Sequence, residues 1–400
     1  MSHSERRSAA QSGSYLAAAD FLRAASIFLI AWYHFWQQSW LNPNFSVAGR
    51  TVDMFRLVSS GYMMVDVLLV LSGFLLTLPY ARARRDRRPL PSVRGFCARR
   101  FWRIVPSYLL AILAIFFLYA LPNGKYASAG AALRDLLTHL SFTHNLSYWT
   151  CLATPMPTAL WTLAVEVQFY LLFPLLMKAY VKRPFAAFAG LALAAFAARG
   201  WVLLRVEDTT MFVNQLPCLL DLYACGMLAA TALAAAEERK PGRTLSVLLP
   251  LLGLLCFLLL LQLVWIQPYG DHAAARRMQL LWRFPVGLLA SGALLCGCLM
   301  PAALQRALGN PLTRLLAAVS YNYYIWHGYL AVRLKDWHIP PYISEFPQRE
   351  GEMPWQRNYV LLCFVGVFAL AAVLTYGFEK PLSRFGRRLA EKKRTQKASA

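Results

Sequence analysis

Residues 20–36, DFLRAASIFLIAWYHFW, decide how the chain is read. This is the first long apolar run, of a size that begins a bilayer crossing. Yet it carries His34 where hydrocarbon favours an aliphatic side chain. Asp20 and Arg23 stand at its start, one helical turn apart, and Arg6 and Arg7 precede it. At the usual helical rise His34 lies about 21 Å beyond Asp20. An ionisable group at that depth points to a function, and interhelical hydrogen bonding is the plain structural alternative.

The rest of the chain repeats the pattern of apolar runs. Of its 400 residues 58% are hydrophobic and only 15% charged, too apolar for an ordinary soluble domain. Ten spans are expected near 17–36, 60–80, 104–121, 159–177, 184–204, 212–234, 245–266, 282–301, 313–331 and 358–378, each close to what a bilayer requires. The fold class is therefore all-α: a polytopic helical membrane protein with about ten transmembrane helices. The formal charge of +22 could suggest nucleic-acid binding, but the basic residues cluster in short connections between runs. One set of alternate connections, with both tails, holds 27 of the 41 lysines and arginines, against 13 in the opposite, longer set. That bias places both termini in the cytoplasm and excludes a nucleic-acid partner. The first run lacks a small-residue cleavage site and reads as an anchor rather than a removable leader. The eight cysteines show neither a disulfide framework nor metal-like spacing. The reading is one membrane domain over 1–400, with a short head (1–16), a basic tail (380–400) and no fused soluble domain.

The 81–103 connection is the densest charge run. Its Arg82–Arg88 cluster reads as a topology lock. On the other side, loops 122–158 and 332–357 are long and rich in Tyr, Trp, Pro, His and Asn. That composition suits carbohydrate or lipid headgroups, and equally ordinary interfacial aromatics.

Polar groups within spans are the candidates for chemistry. Asp66 lies in GYMMVDVLLVLSGFLLT, where the following Ser72-Gly73 pair allows close helix approach. Arg100 and Arg103 open the third run in CARRFWRIVPSYLL; at i, i+3 they share a face and suit phosphate oxygens, with snorkelling to lipid phosphate as the alternative. Glu166 sits in ALWTLAVEVQFYLLFPLL with Tyr170 one turn on. Ser320, Tyr324 and His327 form one stripe in LAAVSYNYYIWHGYL, suited to lining a cavity or to interhelical bonding. Asp221 reads as a structural ion-pair partner.

In order, these segments resemble the acyltransferase-3 family of integral membrane acyltransferases, and the resemblance covers nearly the whole chain. DFLRAASIFLIAWYHF is similar to the family's first-helix pattern with its histidine at His34, and VDVLLVLSGFLLT to its second helix. RFWRIVP resembles its Arg-x-x-Arg element, LWTLAVEVQFYLLFPLL the segment with the family glutamate at Glu166, and SYNYYIWH the late Tyr-rich helix. FEKPLSRF is similar to the closing Glu-Lys-Pro element at Glu379–Pro381. Leu68-Leu69 depart from the phenylalanines the family often shows.

The resemblance implies an O-acyltransferase of the bacterial plasma membrane. It would move an acyl group, acetyl by family prevalence, from cytoplasmic acyl-CoA to a hydroxyl of a cell-envelope glycan or lipid-linked sugar. No metal and no tightly bound cofactor are expected, since acyl-CoA is a substrate. His34 would be general base or nucleophile, with Glu166 orienting an imidazole. Arg100 and Arg103 would hold CoA phosphates, and Asp66, Ser72, Tyr324 and His327 would line the substrate cavity. Some relatives carry a fused extracellular domain that completes transfer, so the acceptor is acylated directly or through a separate extracytoplasmic partner; a homo-oligomer stays open. Buried acids and histidines also suit a secondary transporter or flippase, although no repeat or broken-helix pair is visible.

Overall fold

A computed structural model describes residues 16–238, 242–386 and 388. The basic head with Arg6 and Arg7, and the tail past residue 388, lie outside the described residues. The helices are α1 (Ala17–Ser39), α2 (Phe55–Ser59), α3 (Met64–Arg85), α4 (Val93–Ile115), α5 (Ala129–Leu140), α6 (Tyr148–Cys151) and α7 (Trp161–Tyr180). They continue with α8 (Pro184–Arg205), α9 (Leu220–Ala236), α10 (Arg243–Trp265), α11 (His272–Leu299), α12 (Ala302–Leu308), α13 (Pro311–Asp336) and α14 (Met353–Leu374).

Among the described residues, eight helical stretches are long and apolar enough to cross a membrane: 61–85, 93–120, 158–180, 184–205, 216–236, 243–265, 272–299 and 353–386. Backbone amides in hydrocarbon must be satisfied within the segment, which is why such runs fold as helices. The ten expected spans include two more, α1 and α13. These are 23 and 26 residues long, enough to span, but too polar to join the eight.

Connections are set by caps. Ser92 Oγ accepts from the Gly95 amide at 3.2 Å and starts α4; Asp271 starts α11 and Asn310 starts α13 in the same way. The cap at Ser92 changes the reading of the 81–103 run. Arg94 to Arg103 are helical, and only residues 86–92 form the connection. Arginine is a good helix former, so the helix begins well before its apolar part.

The centre of the bundle is a close approach of α3 and α9. A methyl on Gly73 would stand 2.2 Å from the Tyr223 carbonyl oxygen, and one on Gly226 would stand 2.0 Å from that of Val70. Only glycine allows backbones this near. Helix α1 packs against both α3 and α13, and α13 packs in turn on α14.

The two ends of the bundle differ. At the basic end Glu237 closes α9 onto α3, accepting from Arg82 and, at 2.7 Å, from Arg85. At the far end Asn44–Val47 and Arg50–Asp53 form an antiparallel hairpin. Its turn residues Ala48 and Gly49 have φ of +50° and +76°, as a two-residue hairpin loop requires. The far-end segments are tied to one another. Lys335 donates to the Gln38 carbonyl at 3.0 Å, Gln356 to that of Ser39 at 2.8 Å, and Arg56 to that of Gln267 at 3.2 Å.

Candidate functional site

Helices α1 and α13 meet with His34 against His327, their ring centroids 4.9 Å apart. The two sequences place these rings in step: Ile27 and Ser320, each seven residues earlier, line one cavity together. Hydrogen bonds identify which nitrogen of each ring is free. His327 Nδ1 lies 2.6 Å from the Tyr324 carbonyl oxygen, which can only accept, so Nδ1 carries the proton. In the neutral ring its Nε2 then presents a lone pair, and this buried atom has no hydrogen-bond partner. His34 Nδ1 donates to Gln37 Oε1 at 2.9 Å, while Gln37 Nε2 donates to Tyr33 Oη at 2.8 Å. Its Nε2 is thus also left as the basic nitrogen. Two imidazoles, side by side, offer two acceptor nitrogens, and either one can take the single proton of a hydroxyl placed between them.

At the basic end of the same helix lies a cavity of about 360 Å³, lined by Asp20, Arg23, Leu75, Arg100 and Arg103 with Leu16 and Ala19. Arg23 to His34 is about 16 Å along α1 at the helical rise. The Arg100 guanidinium stands 5.6 Å over the Tyr170 ring, and Arg23 pairs with Asp20 at 3.7 Å. Three guanidiniums around one cavity are matched to an anionic, phosphate-bearing ligand. The sequence reading put Arg100 and Arg103 here; Arg23 was visible at the start of α1 but its convergence with the pair was not.

Glu166 stands with this cluster rather than with the imidazoles. Its Oε1 accepts from Ser72 Oγ at 3.1 Å and from the Tyr170 hydroxyl, and Arg23 and Arg100 are its charged neighbours. The residue that touches His34 in the role expected of a carboxylate is Gln37, which the sequence alone did not single out.

The remaining candidates are placed as follows. Asp66 lines neither cavity; its Oδ2 is 3.4 Å from Arg283 Nε, and both side chains are fully buried. Arg283 also donates to the Val213 carbonyl and, at 3.0 Å, to Asn214 Oδ1. Asp221 is clasped by Arg199 at 2.9 and 2.7 Å, a structural pair as expected for it. Tyr324 donates to the Ala159 carbonyl at 3.0 Å and accepts from Thr162 at 2.9 Å, so its hydroxyl is committed to joining α13 to α7. Ser320 donates to the Ala317 carbonyl at 2.8 Å and borders an apolar cavity of about 310 Å³ with Ile27, Phe28, Tyr323 and Phe364. Glu379 accepts from Asn322 at 2.8 Å, fastening the helical extension past α14 to α13.

From His34 toward the far end runs a series of rings. Tyr33 touches His34 (5.0 Å), Tyr62 (5.3 Å) and Trp36 (6.2 Å), centroid to centroid. Trp36 meets Phe55 (5.7 Å) and Tyr269 (6.2 Å), and Tyr269 is half-exposed. Three separate segments supply these rings, so no single stretch of sequence reveals them.

A family profile described as Acyltransferase domain matches residues 16–377. Several relatives match nearly the whole chain, three of them as follows. The peptidoglycan O-acetyltransferase OatA of Listeria monocytogenes is 24% identical over 95% of this chain and 58% of its own length. The O-acetyltransferase OatA of Staphylococcus aureus is 24% identical over 93% and 58%. The putative peptidoglycan O-acetyltransferase YrhL of Bacillus subtilis is 25% identical over 93% and 55%. The chain thus spans a little over half the length of these relatives. No solved structure matches it.

Proposed function

We propose the activity from one premise, that the chain belongs to the family defined by the Acyltransferase domain: it is a membrane O-acetyltransferase that takes acetyl from acetyl-CoA and delivers it to a hydroxyl of a cell-envelope glycan or lipid-linked sugar. Its ten helices, α1 and α13 among them, cross the bacterial plasma membrane, and the basic end faces the cytoplasm. Arg23, Arg100 and Arg103 hold the CoA phosphates there, and the pantetheine arm extends along α1 toward His34. Glu166, fixed by Ser72 and Tyr170, offsets the mutual repulsion of the guanidiniums and orients them. Asp66 and Tyr324 act on the site through the packing of α3 and α13.

His34 Nε2 takes the proton of the acceptor hydroxyl as its oxygen attacks the thioester carbonyl. The tetrahedral intermediate collapses, the carbon–sulfur bond breaks, and the imidazolium returns the proton to the departing sulfur. Gln37 holds the imidazole in the tautomer this needs, and His327 Nε2 accepts a second hydrogen bond from the incoming acceptor. The glycan approaches along the Tyr33–Trp36–Tyr269 rings, whose apolar faces suit the C–H faces of pyranose sugars.

The observation that supports this reading is one helix carrying a phosphate-matched cavity at one end and a free imidazole nitrogen at the other. Purified protein in liposomes should transfer radiolabelled acetyl from acetyl-CoA to peptidoglycan glycan strands without any ion gradient. His34→Ala at equal membrane abundance should not. Transfer that survives His34→Ala, or that requires a gradient, rejects the reading; a stable acetyl adduct on His34 replaces the base with a nucleophile.

A further inference from the structure

Helix α5 is amphipathic with its faces reversed for a loop in water. Its polar side is inward: Asp135 and His139 are 4% and 1% exposed. Asp135 Oδ2 accepts from Tyr126 at 2.8 Å and Thr154 at 2.7 Å, His139 Nδ1 donates to the Asp135 carbonyl at 2.8 Å, and Tyr108 of α4 donates to the His139 carbonyl at 2.9 Å. Two of its leucines are outward: Leu133 and Leu137 are 56% and 53% exposed, one turn apart on the same face, while Leu136 packs inward on the cluster around Tyr108. A helix whose outer face met water would lose free energy by this arrangement and would gain by rolling over. The inward hydrogen bonds hold it where it is, so the outward face must meet something apolar.

The place in the fold identifies what that is. Helix α5 begins at Ala129, nine residues past the end of the span 93–120, and its N-terminus is fixed by Ser128 Oγ accepting from the Ala131 amide at 3.2 Å. The outward apolar surface of that span, with Phe117, Leu118 and Leu121 exposed, precedes it directly. Exposed Tyr148 and Trp149 follow, residue types that settle at the membrane–water boundary, and exposed Arg134 flanks the leucine stripe as a cation that can reach headgroups. We infer that α5 is an interfacial helix: Leu133 and Leu137 enter the acyl-chain boundary of the far-end leaflet, while Asp135 and His139 latch the loop 122–158 onto the bundle. The loop whose composition suits carbohydrate, lipid headgroups or plain interfacial aromatics is, over this helix, bound to lipid, and it fixes the level at which the acceptor side of the protein meets the membrane surface.

The test uses a photo-crosslinking benzophenone side chain placed singly at Leu133, Leu137 or Glu345, an exposed position in the other far-end loop. Each full-length protein is reconstituted in nanodiscs of phosphatidylethanolamine and phosphatidylglycerol, irradiated, and its peptides are weighed. Lipid adducts at 133 and 137 at least fivefold above 345 are expected. Adducts equal at all three positions, none at all, or crosslinks to a second copy of the chain in place of lipid overturn the inference. At Leu133 and Leu137 the substitution exchanges one exposed apolar group for another, and the outcome does not depend on whether the protein transfers acetyl.

Discussion

Helices α10 and α1 are both 23 residues long, and they show opposite ways of living in a membrane. In α10 the side chains of Leu251, Leu252, Leu254, Leu255, Leu258 and Leu259 are exposed to lipid, and no residue of it touches either cavity or the histidines. Helix α1, with its partner α13, carries Asp20, Arg23, His34 and His327 and lies outside the set of helices apolar enough to be recognised as spans. The difference is one of shielding. A helix facing lipid must be apolar; a helix surrounded by others can hold charge and base because neighbours replace water as the partner of its polar groups. The least membrane-like helices by composition are therefore where the proposed chemistry sits.

The hardest test of that contrast is loss of activity. His34→Ala should lower acetyl transfer at least ~1,000-fold, the scale of removing a general base, while Leu254→Ala in α10 should leave it within a factor of two or so, as surface substitutions do. Comparable losses in both, measured on membranes of equal protein content, would erase the distinction between the helices.

A smaller effect separates burial from function. Arg283→Met leaves Asp66 buried without its cation, and losing one member of a buried pair costs roughly 3–5 kcal/mol. Thermal unfolding in detergent should shift far more than for Arg277→Ala, whose side chain is exposed. Asp66→Leu combined with Arg283→Met should recover much of the loss. If the double variant is no better than the single, Asp66 has a role beyond the pair.

Next comes the guanidinium cluster. Charge-assisted hydrogen bonds are worth about 1.5–3 kcal/mol each, so Arg23→Ala, Arg100→Ala or Arg103→Ala should raise KM for acetyl-CoA roughly tenfold or more, with kcat much less affected. Arg85→Ala, which removes a contact to Glu237 and not to the cavity, should leave KM unchanged. Equal rises in all four would reduce the cavity to bulk electrostatics.

Much of this was legible in the sequence. Apolar length marked the spans, and an ionisable residue in an apolar run marked His34, Asp66 and Glu166, because hydrocarbon gives such residues no local excuse. The i, i+3 spacing put Arg100 and Arg103 on one face because that relation is internal to one helix. What crosses helices was not legible. That Asp66 meets Arg283, that Glu166 stands with the arginines and not with His34, and that His34 meets His327 depend on which helices are neighbours, and periodicity within one segment contains no such information. Gln37 and the ring of Tyr269 carry no oddity of their own; only proximity to His34 distinguishes them. The hairpin at 44–53 escaped because its strands are four residues each, below the length at which alternation becomes a pattern.

The smallest effect lies outside the bilayer and extends the shielding argument to pH. His144 follows α5 in a single turn, 2% exposed, with its ring stacked on His139 at 4.1 Å. Burial first, and then the adjacent His139, push its pKa down to about 3, against the pull of Asp135. Asp135 itself stays ionised: although burial opposes it, bonds from His139, Thr154 and Tyr126 hold the carboxyl below its ordinary value. Once the loop opens, His144 regains an ordinary value near 6.5. Between about 3 and 6.5 the open form therefore binds more protons than the closed one, so the closed loop loses stability as pH falls through that window and is insensitive to pH above it. Hydrogen exchange, corrected for its intrinsic pH dependence, should show residues 126–160 less protected at pH 5 than at pH 7.5, while α10 and the α3–α9 contact stay unchanged. His144→Phe keeps an aromatic ring against His139 and removes the titration, so its protection should be flat across the same range. A loop equally protected at both pH values in the wild type would mean that the opened state keeps His144 as sheltered as the closed one, and the contrast between titrating interior and inert lipid face would stop at the membrane boundary.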